Sequence, residues 1–396
     1  MLRFPFLILL CAGCVAYRSR PVTLPAVAEE VERRTVGRLD YAAAAAFALE
    51  YHHEVLRLEA EARAAGLDIP ATAAEFSSNL DKENLEAHVD PLALARIGPR
   101  GAAARVARAR REEIEARLLQ EKQVLLSAVA ETFLVERVLR ASSPPAISLD
   151  AEPFERAGLA SRAGAAQARA ARAAEAAERR AIEAERRSNL AYFRHLLGLD
   201  RDAPVELLLP DEEFPPLPEA TRENFLRRPD LAVALARYKL ADAEFRRAVA
   251  DQYPSLSLGS EITWTGGGVA GLVGVRVPLG ASRPARAAGE TREAARIDVE
   301  AALLIAQQDA VEAEEAFESG TVRARAAALG AQGMATMYEA AATRLELEPD
   351  GFEMAADVAG RAVGEAVMAR EAAVEAARAR VRRARAYGWP FPEELQ

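Results

Sequence analysis

Cysteine is almost absent. The 396 residues hold two, Cys11 and Cys14, both in the first fourteen. A chain processed at that point keeps at most one thiol, which excludes an internal disulfide. Aromatic residues are also scarce, at 6% against a hydrophobic fraction of 51%, because alanine supplies much of the apolar content. That composition, rich in Ala, Arg and Glu, belongs to extended helices and coiled coils rather than to a thick core. No segment after the first residues is long and apolar enough for a transmembrane helix. Positive charge does not dominate either: the formal net charge is -9, and no basic patch with interleaved aromatics occurs, which argues against nucleic acid as a partner. A catalytic constellation is missing as well. His52 and His53 are adjacent, so on one helix they are expected to diverge rather than chelate as an i, i+4 pair would. His88 and His195 stand isolated in the sequence. Gly266, Gly267 and Gly268 precede a strand, which makes them a turn and not a phosphate cradle. No enzyme activity, metal or cofactor is expected.

The beginning is informative. Met1, Leu2 and Arg3 give a short basic start, Phe4 to Leu10 an apolar run, and Cys11-Ala12-Gly13-Cys14 follows. This pattern resembles a bacterial lipoprotein signal occupying 1–14, with Cys14 carrying lipid. A plain secretory signal is the alternative, and either one takes the chain out of the cytoplasm. Beyond it, Pro21 and Pro25 favour an extended stretch from Tyr17 to Val27.

The strongest local pattern is a pair of alternating runs. Leu256, Leu258, Ile262 and Trp264 share one side of a strand. Val273, Val275, Val277 and Leu279 share one side of a second, and a glycine-rich turn joins the two. Ten-residue strands of this kind suit a membrane β-barrel, with Tyr253 and Trp264 as interfacial rings. A hairpin of a soluble sheet reads the same way. A helix from Thr221 to Gln252 precedes this hairpin (254–280). A long helix of roughly 90–100 Å follows it to about Leu345, with Ile297, Leu304 and Val311 stepping by seven. Glu348-Pro349-Asp350-Gly351 breaks it, and a return helix runs from Phe352 to Tyr387. The first half has the same order: a helix from about Leu39 to Ala65, a weak hairpin at 71–97, and a helix from Gly101 to Arg140 in which Leu119, Leu126 and Phe133 step by seven. Pro144 and Pro145 stop that helix, and another follows from about Ala165 to Leu197. An internal duplication therefore divides the chain into a first repeat at 15–220, with its arm at 101–197, and a second at 221–396, with its arm at 281–388.

In this order the motifs resemble the TolC-like outer membrane efflux protein family, over nearly the whole chain after the leader. Arg228-Pro229-Asp230-Leu231 resembles the family segment that opens the second repeat. Tyr253 to Leu258 and Gly271 to Leu279 resemble its two strands. Leu190 to Gly198 and Tyr387-Gly388-Trp389 resemble the closes of the two repeats. The resemblance implies a mainly α fold with a membrane β-barrel part: long antiparallel coiled-coil helices forming an α-barrel, and β-hairpins forming a twelve-stranded barrel in a homotrimer. It implies a lipid-anchored protein of the outer membrane that extends into the periplasm. Such a protein is the passive exit duct of a tripartite efflux or export system, with a periplasmic adaptor and an inner membrane transporter as partners. The helix tips would lie near Gly158–Arg162 and Pro349–Phe352, and Glu353 and Asp357 just inside the second tip are the candidate acidic constriction. Two solvated helix carboxylates are the plainer account of that pair. The rival from another class is a periplasmic coiled-coil lipoprotein acting as scaffold or adaptor without channel activity.

Overall fold

The computed structural model describes residues 22–67, 74–79, 84–89, 99–209, 214–253, 255–263, 268–276 and 282–390. The leader at 1–14, with Cys14, lies outside them, as do Trp264, Val277, Leu279 and the Leu92–Ile97 stretch. In chain order the elements are α1 (Leu24–Glu32), β1 (Arg38–Leu39), α2 (Tyr41–Tyr51), α3 (His53–Leu67), β2 (Ala74–Asn79), β3 (Asn84–Val89), α4 (Pro99–Ala141), α5 (Ala151–Arg156), α6 (Arg162–Leu196) and β4 (Glu206–Leu207). Then come α7 (Arg222–Leu226), α8 (Pro229–Ala250), β5 (Ser255–Thr263), β6 (Gly268–Arg276), α9 (Ser282–Leu347), a 3-10 turn (Pro349–Gly351) and α10 (Phe352–Ala386). The chain is mainly helical.

The hairpins of the two halves join into one antiparallel sheet of order β2-β3-β5-β6. Leu256 faces Val275 in register and Leu258 faces Val273, while Leu85 and Val89 of the first hairpin pair with Ile262 and Leu258. Among the described residues β2 and β6 each have one neighbour, so each leaves an edge. Helical pairs run from this sheet. α3 and α8 pack on α4, α8 and α10 on α9, and α10 also on α4 and α6. The return helices α6 and α10 are both 35 residues, or about 52 Å at the usual helical rise.

Two local expectations change. Residues 24–32 are helical, not extended, because Pro25 sits in the first turn, where a missing N–H breaks no ladder bond. The helix expected from Leu39 to Ala65 is two helices, kinked at His52, whose ψ is 122. The kink leaves both backbone groups of His52 paired: its N–H donates to the Ala48 carbonyl (2.8 Å) and its carbonyl accepts from Leu56 N–H (3.1 Å). The first arm does not end where α4 stops. After Ser142, whose N–H still donates to the Val138 carbonyl (2.9 Å), the segment continues to 150 beside α6 and α9 outside helical geometry. Ile147 N–H donates to Glu175 (3.0 Å) and Ser148 N–H to the Tyr338 hydroxyl (2.9 Å). Beyond it Phe154 reaches Phe352, ring to ring at 4.7 Å, so the two tips meet. Ile147, Leu149, Ala165, Ala168, Leu345, Phe352 and Ala355 close a buried cluster there.

A second cluster lies toward the sheet end, around Leu39, Ala48, Val55, Leu125, Phe133, Phe193 and Leu197. α6 ends against it at Gly198, which has φ +62 and where a Cβ would come within 2.8 Å of the Tyr51 carbonyl oxygen. Only glycine meets both conditions without strain. Gly198→Ala is expected to cost about 2 kcal/mol, read as a lower midpoint of chemical unfolding.

Candidate functional site

The features that carry function are an open sheet, an exposed helix seam and a tip. The seam runs along α9. Ile297, Leu304 and Val311 are 52%, 64% and 59% exposed, and Val322 and Leu329 continue the exposed apolar series. The matching heptad on α4 is used inside the chain: Leu126 and Phe133 are buried, and Leu119 is half-buried. One chain thus spends one stripe on its own core and leaves the other uncovered.

At the tip, α10 starts directly after the 3-10 turn, with Phe352 fully buried and Glu353 exposed. A Cβ on Gly164 would come within 2.9 Å of Glu353 Cγ, so the glycine lets the first turns of α6 and α10 close together beside this carboxylate. An acid in the first turn also suits the helix dipole. Asp357 lies one turn further in and pairs with Arg361 at 2.7 Å, both partly exposed. Of the two carboxylates, Asp357 has a cation partner and Glu353 has none among the described residues.

The Arg228-Pro229-Asp230-Leu231 segment has a mechanical role that the sequence alone did not reveal. Arg228 is 7% exposed at the start of α8. Its guanidinium donates to both Asp230 oxygens (3.0 and 2.6 Å), to the Ala306 carbonyl (3.1 Å) and to Asp309 (3.3 Å). Burial works against its charge, but Asp230 and then Asp309 outweigh it and hold the guanidinium above its ordinary pKa. The network pins α8 to the middle of α9. The close of the second repeat is pinned in turn: Trp389 stacks on Tyr41 at 6.0 Å, and its carbonyl accepts from Gln123 Nε2 at 3.2 Å. Between the arms, Arg370 of α10 bridges Glu178 (2.7 Å) and Glu185 of α6, all three largely withdrawn from water. Buried Glu136 of α4 takes Arg140 and Arg186, each at 2.9 Å.

The histidines are not as the sequence led us to expect. The kink at His52 brings its ring to 4.7 Å from that of His53, and His195 lies 6.1 Å from His53. His195 is therefore not isolated, and the adjacent pair does not diverge. Among the described residues no group of three or more His, Cys, Asp or Glu side chains could hold a metal ion. No described helix is long and apolar enough to cross a membrane.

Two long antiparallel helical arms, a shared four-stranded sheet at one end and a joined tip at the other define a class: helical-arm proteins with a small β-end. No protein-family model matches the sequence, and no curated protein matches it. Solved structures do match. The structure is similar to CusC, studied for transmembrane channel formation, with a TM-score of 0.72 at 14% identity over 88% of this chain and 91% of that one. It is similar to the CmeC outer membrane channel of Campylobacter jejuni (TM-score 0.70, 16% identity, 89% of this chain and 86% of that one). It is also similar to the MtrE outer membrane channel of Neisseria gonorrhoeae (0.67, 16%, 87% and 88%). The chain has the TolC-like outer membrane channel fold, in a sequence far diverged from those it resembles.

Proposed function

We propose that the protein is the outer membrane channel component of a tripartite efflux or export system, a passive duct from periplasm to exterior. The observation that carries this reading is the four-stranded sheet with edges at β2 and β6. A lipid phase does not tolerate unpaired strand edges, so such a sheet enters a membrane only when it closes. Three copies give a closed ring of twelve antiparallel strands, within the range of membrane barrels. Leu256, Leu258, Ile262, Trp264, Val273, Val275, Val277 and Leu279 form the lipid face in this reading, and the positions alternating with them line the lumen. The exposed stripe of α9 is the lateral seam between copies in the α-barrel below. Cys14 carries the lipid anchor. A periplasmic adaptor and an inner membrane transporter complete the pathway, docking toward the tips. Specificity for the exported compound belongs to the transporter, because the duct offers a lined passage and no binding constellation. The two hairpins share one sheet, which favours a duct over a scaffold lipoprotein, for which a single soluble β-module would serve.

The constriction in this reading is a ring formed chiefly by Glu353, with Asp357 tempered by Arg361. The test is conductance of the detergent-extracted full chain in planar bilayers. Discrete cation-selective openings are expected, and their selectivity should fall when Glu353→Ala is combined with Asp357→Ala. A protein that never conducts, and that stays in buffer without detergent once its lipid is removed, would leave the scaffold reading.

A further inference from the structure

The three histidines gathered at the α2–α3 kink have no place in the duct reading, and what they do is independent of it. His52 is the one residue between α2 and α3, held out of helical geometry and only 7% exposed. Its Nδ1 is buried without a hydrogen-bond partner. His53 and His195 stand beside it on the solvent side, both exposed, the first on α3 and the second in the last turn of α6. The joint they occupy is tightly closed. Gly198 abuts the Tyr51 carbonyl, and Arg34 donates to the Gly198 carbonyl at 2.9 Å while its guanidinium covers the Tyr51 ring at 5.0 Å. A charge on His52 would sit in this closed joint, with its Nδ1 out of water.

We propose that His52, with His53 and His195 beside it, is a proton-operated latch: neutral, it lets the α2–α3 kink close on the end of α6, and protonated, it parts the joint. The surrounding charges favour this direction. From α3, Glu54 acts on His52, but its carboxylate is hydrogen-bonded by Arg57, which holds it below its ordinary pKa and shares its charge. From α4, Glu121 faces the same region. Burial and then Glu54 raise its pKa, so it is a weakened counter-charge for the joint. Also on α4, Arg117 acts on Glu54, and Lys122 lies 3.9 Å from Glu59 of α3. From α6, Arg194 neighbours His195 and donates to the Ala203 carbonyl at 2.8 Å. From the segment before β1, Arg34 adds a further cation. A proton on His52 therefore adds a positive charge to a joint already flanked by Arg34 and Arg194.

The pH dependence follows. Burial first, then His53 and His195, lower the pKa of His52 in the folded chain. The unfolded or opened chain then binds the proton more readily, so the closed joint is favoured above the ordinary histidine value of about 6.5 and weakens as pH falls below it.

Hydrogen exchange of the full, detergent-solubilised chain tests this, comparing peptides spanning 48–56 and 193–199 with one spanning 374–386 on α10. After correction for intrinsic rates, the joint peptides should lose protection about tenfold between about pH 7.5 and about pH 5.5. The α10 peptide should not change. His52→Gln should abolish the acid-induced loss. His195→Gln, at an exposed position with little folding risk, should reduce it and serves if His52→Gln fails to fold. Unchanged protection at the joint in the unaltered chain would overturn the latch, and so would an undiminished loss in His195→Gln.

Discussion

Leu304→Glu combined with Val311→Glu is expected to leave the chain folded but monomeric. Both side chains are well over half exposed in the single chain, at 64% and 59%, so their replacement removes little internal packing. Surface substitutions of this kind alter stability by no more than about 0.5 kcal/mol. In an assembled ring the same positions become a seam of apolar contacts between neighbouring helices. Each glutamate there would be an uncompensated carboxylate taken out of water, costing about 3 kcal/mol or more, and closure repeats that cost at every subunit contact. The effect on assembly is therefore nearly all-or-none. Light scattering of the detergent-solubilised protein should fall from the mass of a trimer to that of one chain, while the thermal unfolding midpoint of the helices stays near its original value. A trimer that persists would put the subunit contact on another face and leave the α9 stripe turned to the lumen.

The second large effect is expected inside the chain, at Asp230→Ala. This change removes the bidentate partner of a guanidinium that is almost wholly buried, and leaves Arg228 with the Ala306 carbonyl at 3.1 Å and a single 3.3 Å ion pair to an exposed Asp309. It also deletes the carboxylate that accepts from Leu231 N–H at the start of α8. Stranding a buried charge in this way costs about 3–5 kcal/mol. Arg228→Met takes the charge away together with its need for a partner and fills similar volume, so it should be clearly milder. Asp309→Ala removes only the long, exposed contact and should cost less than about 1 kcal/mol. Urea unfolding of the three variants should rank them in that order. If Arg228→Met is as damaging as Asp230→Ala, the segment acts through geometry that a methionine cannot supply, and the buried charge is not the reason for its cost.

Much of the architecture was legible because it is written locally. Pro144 and Pro145 end α4 by removing ladder donors, Gly198 ends α6, the Glu348–Gly351 turn separates α9 from α10, and alternation marks β5 and β6. What escaped notice depends on residues far apart in the chain. Nothing near His52 announces a kink. The helix bends there because α6 arrives 146 positions later with a glycine that admits the Tyr51 carbonyl, and the same arrival makes neighbours of His53 and His195. The two heptad stripes show the same boundary. Leu119, Leu126 and Phe133 have the spacing of Ile297, Leu304 and Val311, yet one stripe is core and the other surface. Periodicity reports that a face is apolar; it does not report whether this chain or another copy covers it. The acidic tip was legible only as a position. That Glu353 sits against Gly164 of the other arm, while Asp357 carries its own arginine, follows from packing between elements.

The non-helical segment at 142–150 has a further consequence. In a continuous helix, adding or removing one residue turns everything beyond it by about 100° about the axis. Such a change in α9 would rotate one face of the tip away from its neighbour. The first arm is free of that constraint at one level, because two side-chain contacts, from Glu175 and Tyr338, fix its backbone there instead of a ladder. Length can drift within 142–150 without changing the rotational phase of α5 and α6. The first tip can therefore be retuned against whatever meets it while the second, at the end of 66 unbroken helical residues, keeps its phase.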